Sequence, residues 1–542
     1  MPTVTFNKKE FLCLVGKKLS DVELRDRIPM LGTELEALDA TTLTVEVFPN
    51  RPDLLSEQGF ARAFSSFLGI KPGLKNHVVR KSKVRVIVNK NVTMRPYTAC
   101  AIVKNLKFTD ESLRQLMQIQ EKLAVTHGRN RKKSAYGVYP LKDIQFPIHY
   151  TAKDPSTVRF TPLGFDHEIL ASDIEKLHPK GKEYSSLAQG WQKYPFFIDN
   201  AGKIMSMLPY TNSQDLGKVD VHTKEIFVEC SGTDFYNVTS ALNILATMFE
   251  DMGGDLYSLD VVYADKTVTT PNLTPSNMKL DLQYLNNLLG VTLKENDVVR
   301  LLGKMGYDYQ KGQVLVPAYR VDVLHPMDLV EDIAIAYGYE HFIPEIPRVA
   351  TIAEEYPFAQ FKRLTATVLV GYGLFETNTH HLSNVDDQST NMQQKITPLA
   401  LTNALNADFN VLRAGMLPSL LRVLQCNKHY DYPQRFFEIG TVFTDGQESD
   451  HLCCVLSGEV TYTNARQLLD GLFRSFGLLK VSYLETEHAS FIPGRVADVV
   501  VLGKKVAVVG EVHPAVLTNF SLEMPTGCFE LDLTLLHSLL KP

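Results

Sequence analysis

The sequence predicts a multidomain protein of the α+β class. The chain has 542 residues, which is room for about three or four domains of ordinary size. Its hydrophobic content of 44% is ample for several cores. Strand-like alternation and helix-like spacing of apolar residues occur in different stretches. These stretches indicate an N-terminal α/β domain at 1–83, a mixed α/β domain at 84–265, a small helical module at 270–345 and a C-terminal α+β domain at 350–542.

Composition and charge exclude several classes of protein. The 56 basic and 61 acidic residues give a net charge of −5, which does not suit a protein that wraps nucleic acid along its whole surface. Seven scattered cysteines without a Cys-x-x-Cys pair indicate neither a disulfide framework nor a zinc site. No apolar run approaches the ~18 residues of a membrane span, and the N-terminus lacks the features of a signal peptide. We therefore expect a cytoplasmic protein that does not enter a membrane.

In the first domain, a strand, a turn and a helix follow one another. Residues 42–48 alternate apolar and polar side chains, as in a half-buried strand. Two prolines break this pattern at 49–53. Apolar spacing from 54 to 68 then indicates a helix with Asp53 as its candidate N-cap. A well-formed turn explains these residues without any catalytic role.

The second domain carries two polar clusters beside apolar strands. One cluster follows a strand at 203–208, and the other ends a strand at 225–234, on which Glu229 shares a face with Phe227. The clusters comprise Thr211, Asn212, Ser213, Glu229, Thr233 and Asp234. These residues could form a site. They could equally satisfy a turn and cap a helix that starts near Asn237, and the sequence leaves both interpretations open.

The second domain also contains a basic run at 129–133, with four positive charges in five residues. Such a run could bind phosphates of RNA, and each contact would add salt dependence to the binding. Charge runs more often form a solvated loop. The residues alone favour the loop.

From Pro275 onward, apolar residues recur at helical spacing. Gly290 and Gly306 follow two such stretches and indicate where each helix ends. The apolar positions are Leu282, Leu285, Leu288 and Leu289 in the first helix and Val298, Leu301, Leu302 and Met305 in the second. Two short helices and a strand that leads into a third helix resemble helix-turn-helix folds, which alone does not establish nucleic-acid binding.

The third helix of this module carries an unusual concentration of acidic residues. Asp328, Glu331 and Asp332 stand at positions i, i+3 and i+4, so their side chains rise from one surface of the helix, and Asp322 lies shortly before them. Carboxylates this close repel one another, which favours a cation such as Mg²⁺ or a basic side chain against them. A simpler interpretation is that Asp328 caps the helix and the other acids favour its first turn.

The C-terminal domain has distinctive phrases but no familiar catalytic signature. Glu511 and His513 could form a base with its orienting group, but His513 precedes a proline that opens a turn, which favours a capping role. The chain has no Gly-x-Ser-x-Gly, His-Glu-x-x-His, phosphate-loop or dinucleotide fingerprint. Common self-contained hydrolases and nucleotidases are therefore disfavoured. The distinctive phrases lie at 403–405, 412–421, 435–443, 491–495 and 509–514.

Together, the turn at 49–53, the module from 275 to about 339 and the C-terminal phrases resemble the phenylalanine–tRNA ligase beta-subunit family, of the archaeal and eukaryotic type. The resemblance runs over nearly the whole chain in the same order. The C-terminal part resembles a class II aminoacyl-tRNA synthetase core, an antiparallel sheet with helices, that has lost its active site. Arg435 and Glu438 match the second class II motif, but the third motif has no counterpart. Both residues are therefore expected to be structural, with no catalytic residue for adenylation.

The resemblance implies a partner, a cofactor and a substrate. The partner is an alpha subunit, in a heterotetramer of two alpha and two beta chains that uses ATP to attach L-phenylalanine to tRNA(Phe). Adenylation would take place in the alpha subunit. Mg²⁺ would lie at the contact between the subunits, and the matching acids in this chain are Asp322, Asp328, Glu331 and Asp332.

The resemblance also implies that the second domain edits mischarged tyrosyl-tRNA by hydrolysis. An apolar pocket built for phenylalanine discriminates poorly against an added hydroxyl, and hydrolytic editing is the usual remedy. Glu229 is the first candidate to recognise the tyrosine phenol. The editing candidates are Asn212, Ser213, Glu229, Thr233 and Asp234. Alternatives of another class are a non-catalytic RNA-binding scaffold and a free-standing editing hydrolase.

Overall fold

The computed structural model describes residues 2–458 and 460–540. The chain divides into two units, Met1–Ile346 and Pro347–Pro542. Each unit combines helices with its own sheets, which confirms the predicted multidomain α+β class. In the described part of the chain, no helix is both long and apolar enough to cross a membrane. All seven cysteines lie in that part, and none of them forms a disulfide.

The first unit begins with a three-stranded antiparallel sheet of order β1-β3-β2. Its elements are β1 (Thr3–Asn7), α1 (Lys8–Val15), α2 (Asp21–Met30), β2 (Glu34–Leu38), β3 (Thr42–Glu46) and α3 (Glu57–Phe67). Aromatic rings join sheet and helices, because Phe60 of α3 lies 5.5 Å from Phe6 and 5.8 Å from Phe11 between ring centroids. All three side chains are buried. The three rings therefore form an aromatic core between the short sheet and its helices.

The predicted strand and helix are confirmed here, but the predicted N-cap is wrong. Helix α3 begins at Glu57, and its N-cap is Ser56, whose hydroxyl accepts a hydrogen bond from the Gly59 amide. Asp53 instead lies in a single 3₁₀ turn, Pro52–Leu54. Its carboxylate accepts two hydrogen bonds from Arg51, each 2.9 Å long. Asp53 thus lies three residues before the N-cap of α3, and its carboxylate binds Arg51 instead.

A ten-stranded mixed sheet forms the centre of the first unit. Its order is β12-β11-β10-β7-β4-β14-β5-β13-β6, with β15 paired to β14. The strands are β4 (Val79–Val88), β5 (Tyr97–Lys104), β6 (Ser134–Pro140), β7 (Ile148–Lys153), β10 (Tyr194–Ile198), β11 (Ile204–Met207), β12 (Thr211–Asn212), β13 (Ile226–Gly232), β14 (Asp255–Val262) and β15 (Thr267–Thr270). Strands β8 (Arg159–Phe160) and β9 (Ile169–Leu170) form a separate pair.

Helix packing on this sheet buries its central strands. The helices are α4 (Asp110–Val125), α5 (Ile174–Leu177), α6 (Pro179–Tyr184), α7 (Gln214–Gly217) and α8 (Phe235–Asp251). Helix α8 packs on β5 and β13. All seven residues of β13 are buried, which suits a strand covered on both faces. Strand β4 runs parallel to β7 and β14, and the other pairs of the sheet are antiparallel.

The predicted helical module also contains a small antiparallel sheet of order β16-β18-β17. Its elements are β16 (Ser276–Lys279), α9 (Leu282–Leu289), α10 (Glu295–Lys304), β17 (Asp308–Gln310), β18 (Gln313–Val316) and α11 (Pro326–Tyr337). Gly290 and Gly306 have φ angles of 66° and 80°, a left-handed conformation that favours glycine. The predicted helix ends are therefore confirmed.

The apolar positions of the two helices are buried only in part. Leu285 of α9 is fully buried, as are Leu301 and Leu302 of α10. Leu282 and Leu288 are exposed, at 37% and 45%. Four leucines in an eight-residue helix exceed what one face of the helix can bury.

The second unit is built on a seven-stranded sheet of order β19-β22-β23-β27-β26-β25-β24. The strands are β19 (Phe375–Glu376), β20 (Leu382–Ser383), β21 (Val411–Leu412), β22 (Gln434–Thr444), β23 (Gln447–Ser457), β24 (Ser482–Glu485), β25 (Phe491–Val501), β26 (Lys504–Val512) and β27 (Thr526–Asp532). Strands β20 and β21 pair separately. The sheet is antiparallel except at its edge, where β19 runs parallel to β22.

The two faces of this sheet belong to two hydrophobic cores. Along β23, Leu452 and Cys454 contribute to one core, whereas Cys453 and Val455 contribute to the other. This alternation follows from the two-residue period of a strand. The helices that cover the faces are α12 (Pro357–Gly371), α13 (Leu417–Asn427), α14 (Tyr462–Ser475), α15 (Pro514–Asn519) and α16 (Leu533–Leu540).

Candidate functional site

The acidic helix α11 begins with a hydrogen-bonded cap. Its N-cap is His325, whose Nδ1 accepts a hydrogen bond from the Met327 amide at 3.1 Å. Asp328 lies three residues after this N-cap, and its Oδ2 accepts hydrogen bonds from the amides of Leu324 and His325, both at 2.7 Å. Asp328 therefore stabilises the helix start without being the N-cap itself, and its Oδ1 makes no hydrogen bond to the described residues.

Two of the four acids share one internal cation. Arg320 donates to Asp322 from Nε and Nη2, at 2.8 and 2.7 Å, and to Asp332 from Nη2 at 2.7 Å. The hydroxyl of Tyr307 also donates to Asp332. All four side chains are buried or nearly so. Burial raises the pKa of Asp322, but its hydrogen bonds and ion pair with Arg320 outweigh burial and lower it overall.

The remaining acid, Glu331, is exposed and makes no hydrogen bond or ion pair with the described residues. In the part of the chain that the structure describes, no three of the four acids bring carboxylate oxygens within 4.8 Å of one another. The donors still suit Mg²⁺, which takes oxygen ligands and keeps several waters. The carboxylate of Glu331 and the Oδ1 atom of Asp328 have no hydrogen-bond partner among the described residues. The carboxylates of Asp322 and Asp332, by contrast, are held by Arg320.

A different acidic group does converge, on the first sheet. Carboxylate oxygens of Glu34, Glu36 and Glu46 lie within 4.8 Å of one another. The sequence analysis did not single them out, although Glu34 and Glu36 alternate on β2 and Glu34 pairs with Glu46 of β3. Glu34 and Glu36 are exposed, and exposed acids of this kind are common without a metal.

Glu229 lies at the middle of β13, fully buried, in a polar cluster within the sheet. Its Oε2 accepts a hydrogen bond from Ser231 at 2.6 Å, and its Oε1 accepts one from the Tyr139 phenol at 3.2 Å. Burial raises the pKa of Glu229 to about 7, although these hydrogen bonds and the nearby Arg95 oppose the rise. The carboxylate is thus already bound to a phenol, which belongs to the chain itself.

The expected aromatic neighbour of Glu229 is present. The ring of Phe227, two residues earlier on β13, lies 5.9 Å from the ring of Tyr139. Asn212 approaches the same region from β12, with its Nδ2 3.5 Å from the carbonyl oxygen of Val138. The apolar ring and the carboxylate therefore lie on β13, and the amide of Asn212 comes close to β6, the strand that pairs with β13.

The other candidates in this region make turn and cap contacts. Ser213 is the N-cap of α7, and its hydroxyl accepts from the Leu216 amide at 3.2 Å. The Thr211 hydroxyl donates to the carbonyl of Asn212 at 3.0 Å. Ser213 is buried. Both side chains thus already have partners within the chain.

Thr233 and Asp234 stand at the start of α8. Asp234 is its N-cap, and its Oδ1 accepts from the Asn237 amide at 3.1 Å. Its Oδ2 lies 3.1 Å from Nζ of Lys133. The hydrogen bond from Asn237 is the main cause of its lowered pKa, and Lys133 adds to it. Thr233 is exposed, with its hydroxyl 3.5 Å from the carbonyl of Lys132.

The basic run at 129–133 joins the two polar clusters. Arg131 donates to the carbonyls of Pro209 and Tyr210, at 2.8 and 3.1 Å, and its guanidinium lies 4.6 Å from the centre of the Tyr184 ring. Lys133 pairs with Asp234. Spacing along the chain gave no signal for these contacts, because they join residues far apart in sequence.

In the second unit, Glu438 is buried and pairs with Arg413, at 2.7 Å between Nη1 and Oε1. Arg435 is exposed. His513 is the N-cap of α15, and its Nδ1 accepts from the Ala515 amide at 3.1 Å. Glu511 pairs with Arg495 at 2.9 Å, so it orients that arginine rather than the histidine.

Comparisons with known proteins agree along the chain. The tRNA synthetase B5 domain matches residues 278–339, and the phenylalanyl tRNA synthetase beta chain CLM domain matches residues 343–533. The phenylalanine–tRNA ligase beta subunit of Archaeoglobus fulgidus is 37% identical, over 98% of this chain and 98% of its own. The beta subunit of Pyrococcus abyssi is also 37% identical, over 99% of this chain and 100% of its own.

A solved structure extends the agreement to the fold of the first unit. It is the crystal structure of an N-terminal fragment of the phenylalanyl-tRNA synthetase beta subunit from Pyrococcus horikoshii. The fragment is 36% identical, with a TM-score of 0.60, and the match covers 62% of this chain and 99% of the fragment. Identity of this level along nearly the whole length shows that the protein belongs to the phenylalanine–tRNA ligase beta-subunit family.

Proposed function

We propose that the chain is the beta subunit of a cytoplasmic phenylalanine–tRNA ligase. With an alpha subunit, in a complex of two alpha and two beta chains, it supports the ATP-dependent attachment of L-phenylalanine to tRNA(Phe). The observation that carries this proposal is the 37% identity to beta subunits over 98% of both chains. Adenylation takes place in the alpha subunit, and the part at 350–542 serves as a class II synthetase-like domain without catalysis. The buried pair of Arg413 and Glu438 supports a structural role there.

We further propose the fourfold domain division at 1–83, 84–265, 270–345 and 350–542. The family matches at 278–339 and 343–533 support the last two domains. The first two each have a sheet of their own. In this division, the domain at 84–265 carries editing and the module at 270–345 carries the metal-binding acids.

The metal proposal places Mg²⁺ on the exposed side of α11, at the contact with the alpha subunit. Glu331 and Asp328 supply the first carboxylate oxygens because theirs are not all used within the chain. Asp322 and Asp332 complete the set when the partner is present. When bound, the ion supplies positive charge that offsets the repulsion between carboxylates. Arg320 holds the two inner acids and so ties the segment before α11 to the middle of that helix.

The editing proposal rests on Glu229 and its surroundings. A tyrosine-selective pocket needs an apolar slot for the ring and a polar group for the phenol. Glu229 accepts a phenol hydrogen bond from Tyr139 beside Phe227. Because Glu229 is fully buried, the phenol of a mischarged tyrosine reaches it only by displacing the Tyr139 hydroxyl. Asn212, Ser213, Thr233 and Asp234 then shape the turn and the helix start beside the pocket.

The test of the main proposal is aminoacylation of tRNA(Phe) with phenylalanine and ATP. This chain, its alpha subunit and the mixture are assayed separately, with tyrosyl-tRNA hydrolysis measured in parallel. We expect aminoacylation only in the mixture. A well-folded mixture without activity would overturn the proposal. Tyrosyl-tRNA hydrolysis in such an inactive mixture would indicate the free-standing editing hydrolase, and no hydrolysis would indicate the RNA-binding scaffold.

A further inference from the structure

A cavity of about 480 Å³ in the first unit adjoins the proposed metal site through Arg320, which holds Asp322 and Asp332. It is formed by α3, the chain that follows this helix, the end of α8, and the segment that leads into the acidic helix. The charged side chains that line it are Arg51, Asp53, Arg62, Lys71, Lys75, Glu250, Asp251 and Arg320. Neither Glu229 nor Glu331 lines this cavity.

Two arginines enter the cavity wall with the same local geometry. Arg51 donates from Nε and Nη2 to the two carboxylate oxygens of Asp53, each at 2.9 Å. Arg320 donates from the same two nitrogens to Asp322, at 2.8 and 2.7 Å. Each is an Arg-x-Asp sequence in which the aspartate fixes one edge of the guanidinium. The other edge, at Nη1, is left for another partner.

Three basic side chains of this cavity have hydrogen-bond donors without a partner, or with only a distant one, among the described residues. Nη1 of Arg320 is buried and has no hydrogen-bond partner among the described residues, and the side chain is only 3% exposed. A buried donor without a partner costs free energy unless a ligand or water satisfies it. Arg51 uses only Nε and Nη2 in its hydrogen bonds within the described chain. Lys71 contacts no carboxylate there, and its nearest acceptor is the carbonyl of Leu14 at 3.5 Å.

The acids of the cavity are already taken by other bases. Asp251 pairs with Arg62 and Lys75, and Glu250 lies 3.0 Å from Lys75. When the neighbouring Asp322 and Asp332 are counted with the cavity, its acidic and basic side chains are equal in number. The net charge of the cavity therefore favours neither an anion nor a cation. The positive charges of Arg51 and Arg320 nevertheless repel each other, and both side chains line the cavity.

We propose that this cavity binds a phosphate-like oxyanion between Arg51, Arg320 and Lys71. Guanidinium edges match the oxygens of such an anion, and an ammonium adds a mobile charge. The anion would offset the repulsion between the two arginines. The source is either free inorganic phosphate or the phosphate of a nucleotide, since both present the same oxygens.

Calorimetry with inorganic phosphate and the full-length chain tests the proposal. Lys71 is the residue to change, because it is exposed and pairs with no acid, whereas Arg320 also holds two buried aspartates. We expect Lys71→Gln to weaken phosphate binding about tenfold, as loss of one charged contact does, and Lys71→Arg to restore most of it. Lys81→Gln, an exposed lysine outside the cavity, should leave the affinity unchanged.

Three results would overturn the site. These are the absence of phosphate binding by the unmodified chain, equal affinity of Lys71→Gln, and equal weakening by Lys71→Gln and Lys81→Gln. A competition with ADP identifies the source of the anion. ADP that displaces phosphate indicates a nucleotide ligand, and ADP that leaves phosphate bound indicates the free anion. Both outcomes of the competition support an oxyanion site.

Discussion

Glu229 keeps its proton to a higher pH than an ordinary glutamate. Its pKa rises from 4.5 to about 7 because the side chain is buried, despite hydrogen bonds from Ser231 and Tyr139. Between these two values the folded state binds more protons than the unfolded state. The free energy of unfolding therefore falls as the pH rises from about 4.5 to about 7.

We expect Glu229→Gln to remove this pH dependence, because glutamine does not titrate. Between about pH 5 and pH 7.5, the unmodified chain should lose about 2 to 3 kcal/mol of stability relative to the variant. Urea unfolding can be followed by the fluorescence of Trp191, the only tryptophan of the chain, which lies in the same unit as Glu229. Parallel pH profiles in the two proteins would contradict the raised pKa.

The same substitution tests recognition of the tyrosine phenol. Glutamine keeps the shape of Glu229 but is a weaker acceptor than a carboxylate. We expect Glu229→Gln to slow tyrosyl-tRNA hydrolysis about tenfold while phenylalanine attachment by the complex is unchanged. Tyr139→Phe serves as the matched variant, since it removes the internal phenol and leaves the carboxylate free for substrate. Unchanged hydrolysis by Glu229→Gln would remove Glu229 from the editing site.

Glu331 is the clearest residue for testing the metal proposal, because it is exposed and makes no hydrogen bond or ion pair with the described residues. We expect Glu331→Gln to change the stability of the isolated chain by less than about 0.5 kcal/mol. Its Mg²⁺-dependent association with the alpha subunit should weaken about tenfold, measured by calorimetry with Mg²⁺ and with EDTA. Glu345→Gln, another exposed glutamate, is the control. Equal association of Glu331→Gln and the unmodified chain would contradict a metal role.

At the scale of the element, variants at the start of α8 can distinguish a capping role of Asp234 from a role in editing. Asp234 accepts from the Asn237 amide and pairs with Lys133. We expect Asp234→Ala to lower the free energy of unfolding by about 1 kcal/mol, as loss of an N-cap does. Asp234→Asn keeps the cap and should recover most of the stability. Thr233→Ala should be neutral, because Thr233 is exposed with one long contact.

Tyrosyl-tRNA hydrolysis by these variants decides between the roles. If Asp234 is a cap alone, Asp234→Asn should hydrolyse tyrosyl-tRNA at the unmodified rate. A large loss in Asp234→Asn at unchanged stability would contradict a purely structural role and place the carboxylate in the editing site. Urea unfolding and hydrolysis measured on the same preparations keep the two effects apart.

Local signals in the sequence predicted element ends well where backbone conformation decides them. Gly290 and Gly306 end their helices because left-handed φ angles favour glycine. The N-cap prediction at Asp53 failed because a 3₁₀ turn precedes the helix, which begins only at Glu57 and is capped by Ser56. The helical spacing of the leucines also predicted that Leu288 is buried, whereas it is exposed. Spacing shows which positions could share a face, whereas burial depends on what packs against that face.

Contacts between segments that are far apart in the sequence could not be predicted from local sequence patterns. Arg320 is only two residues from Asp322, but its link to Asp332 depends on how α11 folds back. Arg131 reaches the carbonyls at 209 and 210 across the domain. The acids and polar clusters could therefore be named from the sequence, but not the basic side chains that hold them.

At the scale of the whole molecule, the division into two units sets what can fold alone. Residues 342–356 form neither helix nor strand, and Ile346 at the boundary is 93% exposed. The first unit has its own cores and sheets. A crystallised fragment from a relative matches 62% of this chain, which is consistent with independent folding of the first unit.

We expect a fragment of residues 1–346 to unfold cooperatively and to hydrolyse tyrosyl-tRNA, because it contains every editing candidate. It should not support aminoacylation with the alpha subunit, since the second unit, which holds most of the CLM-domain match, is missing. A matched fragment of residues 1–306 lacks β17, β18 and α11, and α10 packs against β17 and α11. That fragment should melt at a lower temperature in calorimetry, because Val298 and Leu302 lose their cover. A non-cooperative transition in the 1–346 fragment would mean that the second unit is needed for the first to fold. Equal melting temperatures of the two fragments would mean that the acidic helix contributes nothing to the core of its module.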